Sequence, residues 1–248
     1  MNELMEYLIE THMHTSEVSP CGRVGACEGI RTYKELGYGG VVITDHFFDR
    51  FFESLSSMSW HDKVDQYLTG YRLAVGEGVR LGVRVFLGME YCIPGTGDDI
   101  LIYGFDEQFL YDHENLHLLS ADKLCKVARM NGLLLLQAHP FRKYISRVYD
   151  EMIEGMEVYN GNRRHDSNND RAAEYASHKG LISVSGSDFH QMEDAGRGGI
   201  YLETLPHDSK ELASILRKVR TPRLATAGKT NVESRLSRII KKLRGKVV

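Results

Sequence analysis

The sequence predicts an α/β fold, a closed or nearly closed barrel of strands and helices, with an open doubly wound sheet as the second choice. Short apolar runs alternate with amphipathic helical stretches through most of the 248 residues. Many of the apolar runs are continuous rather than alternating, as in parallel strands covered on both faces by helices. Seven or eight such units in this length suit one barrel, which takes about 250 residues. No G-x-G-x-x-G follows the first strand, which weighs against a dinucleotide-binding sheet.

The elements follow in order. Residues 7–11 form the first strand, and the mixed apolar and charged stretch 26–36 forms the first helix. Gly-Val-Val-Ile-Thr makes 40–44 the second strand, and helical periodicity covers 61–77. Strands at 84–89 and 100–103 precede a helix at 121–130, and the apolar 133–137 is the next strand. A strand at 155–158, a helix at 169–178, strands at 182–185 and 199–202 and a helix at 209–219 complete the pattern. No Pro/Gly/Ser-rich linker divides the chain, so 1–248 reads as one domain, with 230–248 a basic terminal helix.

With 42% hydrophobic and 26% charged residues, the composition excludes collagen-like, coiled-coil and wholly disordered chains. The net charge of −3 is unevenly spread: between Arg217 and Val248, eleven Lys or Arg face one Glu, so the rest of the chain is acidic. A basic end of this kind is either a solvated face or a contact for nucleic acid or an acidic partner. The longest strongly apolar stretch, residues 132–136, is far shorter than the roughly 20 residues a membrane span needs. Residues 1–10 hold three acids and no base, unlike a secretory signal, and the expected location is cytoplasmic. Cys21, Cys27, Cys92 and Cys125 lack a C-x-x-C spacing and suit reduced thiols.

Functional groups of a parallel α/β barrel gather where strands end. Here the first strand runs into His12-Met13-His14, the second into Asp45-His46, the third into Glu90, the fifth into His139-Pro140, and a late one into Asp188-Phe189-His190. Residues two apart in an extended segment share a face, so His12 with His14, and Asp188 with His190, can meet one ion. A lone H-x-H is commonly a polar surface pair; repetition at five strand ends is not. The donors exceed what one ion needs, so two or three ions bridged by a carboxylate are expected.

These ordered motifs, with Gly186-Ser187 preceding Asp188, resemble those of the PHP family, the polymerase and histidinol phosphatase domain, over roughly residues 7–204. The resemblance implies a distorted (β/α)7 barrel whose zinc, manganese or iron centre hydrolyses phosphate esters. It implies a first site of His12, His14, Glu90 and Asp188, a second in which Glu90 bridges to His139, and a third held by His46 and His190. Two positions depart from the fullest family pattern. Where some members carry a further His, this chain reads Glu17-Val18-Ser19-Pro20-Cys21, leaving Glu17, Cys21 or water for the third ion. Where the second site usually gains another His, it reads Asp98-Asp99, and Asp99 is either the substitute ligand or a turn residue. An oxygen ligand there favours manganese or iron over a pure zinc site.

Three further residues are catalytic candidates. Arg142 and Arg197 lie near metal-type residues in sequence and offer a phosphate the planar fork of a guanidinium, though salt bridges are an equal use for them. Arg142-Lys143 could hold a second phosphate, and Asp45 is placed to orient a metal-bound histidine. Glu157 either lines the pocket or serves a structural hydrogen bond. His61, His113, His117, His165, His178 and His207 read as surface or capping residues, and Trp60 with Phe47, Phe48, Phe51 and Phe52 as a lid or a satellite core.

The expected activity is hydrolysis of a small phosphorylated substrate, with a nucleotide or short nucleic acid as a further candidate; no oligomeric state follows. Two alternatives stay open: a metal-binding domain serving a partner, and an amidohydrolase-type hydrolase. The latter fits less well, because the bridging lysine of that class is missing where Glu90 sits.

Overall fold

A computed structural model describes residues 6–227 and residue 239. The predicted terminal helix at 230–248 lies outside the described residues, apart from Ile239. The architecture is mixed α/β, with two hydrogen-bonded sheets. The first, in the order β11-β10-β1-β2-β4, contains β1 (Tyr7–Met13), β2 (Gly40–Ile43), β4 (Arg84–Leu87), β10 (Gly198–Leu202) and β11 (Arg223–Thr226). The second, in the order β3-β5-β6-β7-β8-β9, contains β3 (His46–Phe47), β5 (Met89–Cys92), β6 (Asp99–Tyr103), β7 (Leu134–Gln137), β8 (Gly155–Asn160) and β9 (Ile182–Gly186). Eight α-helices are present among the described residues: α1 (Ala26–Leu36), α2 (Asp49–Ser54), α3 (Trp60–Tyr67), α4 (Thr69–Leu81), α5 (Glu107–Asp112), α6 (Ala121–Asn131), α7 (Asn169–Lys179) and α8 (Ser209–Val219).

The strands run less uniformly than the sequence predicts. β1–β2, β2–β4, β3–β5, β7–β8 and β8–β9 pair in parallel, whereas β1–β10, β10–β11, β5–β6 and β6–β7 are antiparallel. The β5–β6 connection is a short turn, which can join only antiparallel neighbours; a parallel crossover needs a dozen or more residues. The predicted strand 84–89 is divided at Gly88, where an added Cβ would stand 2.8 Å from Val42. The predicted helix 61–77 is divided at Leu68, and its second part runs on to Leu81.

Both sheets contribute to one buried cluster. Ile9, Val42, Phe86 and Ile200 of the first sheet meet Leu101, Leu134, Leu136, Ile182 and Val184 of the second, with Leu212, Ala213 and Leu216 of α8. Each fully buried aliphatic side chain contributes roughly 1.5–3 kcal/mol. A second cluster lies under α1, whose buried stripe of Ile30, Tyr33 and Leu36 recurs at helical spacing. That helix stops at Gly37, where φ of +90° costs a residue without Cβ little. Most of the aromatic residues after His46 resolve to core: Phe47 and Phe52 are buried, Phe51 packs against them and Trp60 stacks on Phe52, while half-buried Phe48 stands edge-on 6.0 Å from the His46 ring. His117, expected at the surface, is buried against the same rings, 4.3 Å from Phe52 and 5.7 Å from Trp60.

Candidate metal centre

The strand geometry turns His12 and His14 to the same side, their Nε2 atoms 3.1 Å apart. Parallel pairing of β3 with β5 sets His46 beside Glu90. Glu90 occupies the middle of the cluster. Its Oε1 lies 3.0 Å from His139 Nε2 and 3.2 Å from His12 Nε2. Its Oε2 lies 2.8 Å from His46 Nδ1 and 3.3 Å from His14 Nε2. Asp188, just past β9, brings Oδ1 to 3.6 and 3.5 Å from the His12 and His14 Nε2 atoms and to 3.2 Å from His190 Nδ1. Asp99 approaches from a different direction: because β6 is antiparallel, it stands at that strand's start, with its Oδ2 3.9 Å from His139 Nε2.

Three overlapping groups place their donor atoms within 4.8 Å of one another: His12, His14 and Glu90; Glu90, Asp99 and His139; and His14, His46 and His190. The electrostatics are those of a compressed charge cluster. Burial opposes charge on His12, but Glu90, Glu157 and Asp188 raise its pKa well above that of ordinary imidazole. Burial likewise opposes charge on Glu90 and Asp188, and the histidines hold both well below the usual carboxylate range. Asp99 is raised to about 6 by burial and by neighbouring Glu90. Nitrogen and oxygen donors of buried and half-buried side chains, converging within 4.8 Å, form a donor set that fits divalent ions.

A supporting shell fixes the donors. Glu157 accepts from His12 Nδ1 at 3.0 Å, from the His139 amide at 3.1 Å and from Asn160 Nδ2 at 2.8 Å. Asp45 accepts from the Thr15 amide at 2.6 Å, Thr15 Oγ1 at 2.7 Å and Ser19 Oγ at 2.7 Å; Ser19 Oγ is 3.1 Å from His14 Nδ1. Asp45 thus reaches His14 through Ser19. His139 and Asp188 adopt positive φ, +30° and +51°, a strained conformation for residues with a Cβ.

The cluster floors a cleft of about 390 Å³, walled by Arg142, Tyr144, Asn162, Arg164, His165, Gln191, Arg23 and Cys21. Arg142 donates Nη2 to Asp188 at 2.6 Å and to Asn160 Oδ1 at 2.8 Å, Nε to Ser167 and Nη1 to the Tyr144 hydroxyl. Arg197 is placed elsewhere: it is buried, its Nε donates to the Gly161 carbonyl at 2.8 Å, and it does not line the cleft. Lys143 is exposed and also outside that lining. Glu17 turns away, its carboxylate accepting from the Ala26 amide at the start of α1. His165, read from the sequence as a surface or capping residue, is exposed and also lines the cleft. Asn160 and Asn162 escaped the sequence reading although β8 ends at Asn160, the same strand-end signal that marked the histidines. Tyr144 and Arg164 sit in loops that carry no such signal.

No protein-family model matches the chain, and no curated protein matches its sequence. Solved structures do match. PsfC from Pseudomonas syringae aligns over 98% of this chain and 99% of its own, at 15% identity and a TM-score of 0.63. A two-domain protein from Bacteroides vulgatus, containing a predicted PHP-like metal-dependent phosphoesterase, aligns over 87% of this chain at 15% identity and a TM-score of 0.62; the match spans 64% of that protein. An amidohydrolase from Chromobacterium violaceum, solved with sulfate and no metal, aligns over 86% of this chain and 96% of its own, at 16% identity and a TM-score of 0.56. At these identities the likeness is one of fold, and PHP-like proteins are among those that share it.

Proposed function

We propose that this protein is a metal-dependent phosphoesterase that hydrolyses a small phosphomonoester, and that its two sheets are the walls of one distorted barrel. The observation that carries the reading is the placement of Glu90 between His12, His14, His46 and His139 at 2.8–3.3 Å, on the floor of an open cleft. His12, His14, Glu90 and Asp188 would hold one ion, Glu90, His139 and Asp99 a second, and His46 with His190 a third. Divalent zinc, manganese or iron there supplies Lewis acidity toward phosphoryl oxygens and lowers the pKa of water toward neutrality. The chain's own residues do the positioning. Glu157 fixes the His12 ring, Asp45 fixes His14 through Ser19, and the Asn160–Arg142 pair holds Asp188. Arg142 also lines the cleft and adds positive charge beside the phosphate; four of its five N–H donors are committed to protein acceptors, leaving one for substrate. The fold likeness to an amidohydrolase admits a second hydrolase class. The absence of lysine from the described cleft lining favours the phosphoesterase.

The test is elemental analysis of the purified protein with p-nitrophenyl phosphate turnover before chelation, after chelation and after Mn²⁺ or Zn²⁺ readdition. Two or three ions per chain and chelator-sensitive turnover are expected. Metal-free protein that remains inactive after readdition overturns the proposal.

A further inference from the structure

Building on the metal-centre reading above, we propose that Cys21 supplies a thiolate ligand to the ion held by His46 and His190. One end of the cluster is then a nitrogen–sulfur site, while Glu90, Asp99 and His139 keep the other rich in oxygen.

Glu17 and Cys21 are the side chains that the sequence offers at this position, and the structure separates them. Both oxygens of Glu17 are engaged at the α1 amide of Ala26, at 3.1 and 3.0 Å. Cys21 instead lines the same cleft as His46 and His190, two residues from the Arg23 amide that is bonded to the His190 carbonyl. The rings around it are already grouped: His14 lies 4.2 Å from His190 and 4.4 Å from His46, centroid to centroid. The turn that carries the cysteine is fastened on both sides. The Arg23 amide donates to the His190 carbonyl at 2.7 Å, and the Gly22 amide donates to Ser19 at 2.9 Å. At Gly22 an added Cβ would lie 2.8 Å from the Thr15 carbonyl oxygen, so this turn packs tightly against the end of β1.

The chemistry favours a thiolate. The two neutral imidazoles of His46 and His190 bring no negative charge to a dication, and Glu90 is shared with the rest of the cluster. When the metal–sulfur bond forms, the thiol gives its proton to solvent, and the resulting anion offsets charge locally. A soft sulfur donor selects Zn²⁺ or Cd²⁺, whereas the carboxylate pair suits Mn²⁺ or Fe²⁺. The centre is therefore built for two kinds of metal.

Cys92 provides an internal control, since its Sγ lies 3.6 Å from His46 Nδ1. The experiment reloads chelator-treated full-length protein with Co²⁺ and records the thiolate-to-cobalt charge-transfer band in the near ultraviolet, alongside metal content. The band is expected in the wild type, in Cys92→Ser and in Glu17→Gln. Cys21→Ser should lose it and hold Zn²⁺ about tenfold or more less tightly, a loss at least that of a supporting-shell partner. Cobalt bound without the band in the wild type, or a band that survives Cys21→Ser, overturns this inference and leaves the phosphoesterase reading standing. Protein that binds no cobalt overturns both.

Discussion

Glu157 has three donors to satisfy, and glutamine cannot satisfy them. A Glu157→Gln side chain keeps the shape but replaces one acceptor oxygen by an amide that donates, leaving at least one of His12, the His139 amide and Asn160 facing another donor. Metal affinity should fall roughly 10–100-fold with the protein still folded, as competition against a chromogenic chelator would show. Unchanged affinity would mean that His12 needs no outer partner. Glu90→Gln goes further, since it removes the charge shared by four histidines. The expected result is loss of bound metal and a fall in turnover on the order of a thousandfold, equivalent to about 4 kcal/mol of transition-state stabilisation. Full activity in that variant would exclude Glu90 from the reaction. The donors of the cluster were legible in the sequence because period-two spacing and strand ends fix where a side chain points. Arg197 was not, because nearness in sequence to Asp188 says nothing about which way a residue turns after the strand.

Helix α4 shows how an element that contributes no donor to the cluster still bears on it. An added Cβ at Gly70 would lie 2.1 Å from Thr15 Oγ1 and 3.0 Å from Asp45 Oδ2. Gly70→Ala should therefore push apart the Thr15–Asp45 pair and cost about 1–3 kcal/mol in chemical denaturation, with weaker metal binding through Ser19 and His14. A variant as stable as the wild type would show that α4 can shift freely. The same helix carries a pH-dependent link to α1. Hydrogen bonds from Arg80, outweighing burial, and from Arg31 bring Glu77 down to about 2 from an ordinary 4.5. Because the folded value is the lower one, the link contributes fully above about pH 4.5 and is lost as pH falls toward 2. Glu77→Gln should flatten the stability profile between pH 5 and 2 relative to wild type, and salt should shrink the difference, since both arginines are more than half exposed. Parallel profiles for the two proteins would discard this link. Which stretches form helix or strand was largely readable from periodicity. Strand direction was not: the apolar run of β6 looks the same in either orientation, and only its pairing with β5 and β7 shows that Asp99 enters from the strand's start.

Across the whole molecule, metal and fold should be linked. The cluster draws donors from β1, β3, β5 and β6 and from the segments after β1, β7 and β9, so ions bound there tie both sheets together. Free metal at a hundred times its dissociation constant adds about 2.7 kcal/mol to a one-site protein. For a chain of this size, that is a rise of roughly 5–10 °C in Tm on reloading chelated protein with Zn²⁺ or Mn²⁺. A Tm unmoved by metal would disconnect the cluster from stability.

The pairing of β1 with β10 has a consequence for how the chain is made. Tyr7 lies opposite Leu202, and Ile9 opposite Ile200. One edge of β1 is covered early by β2, but its other edge waits for residues synthesised about 190 positions later, roughly 10–40 s at the usual pace of a ribosome. During that interval the newborn chain carries an open strand edge beside an unfinished cluster, since Asp188 and His190 also emerge late. Translation that stalls before that point yields a product with neither its first sheet complete nor its metal site whole, a ready client for whatever binds unpaired strands.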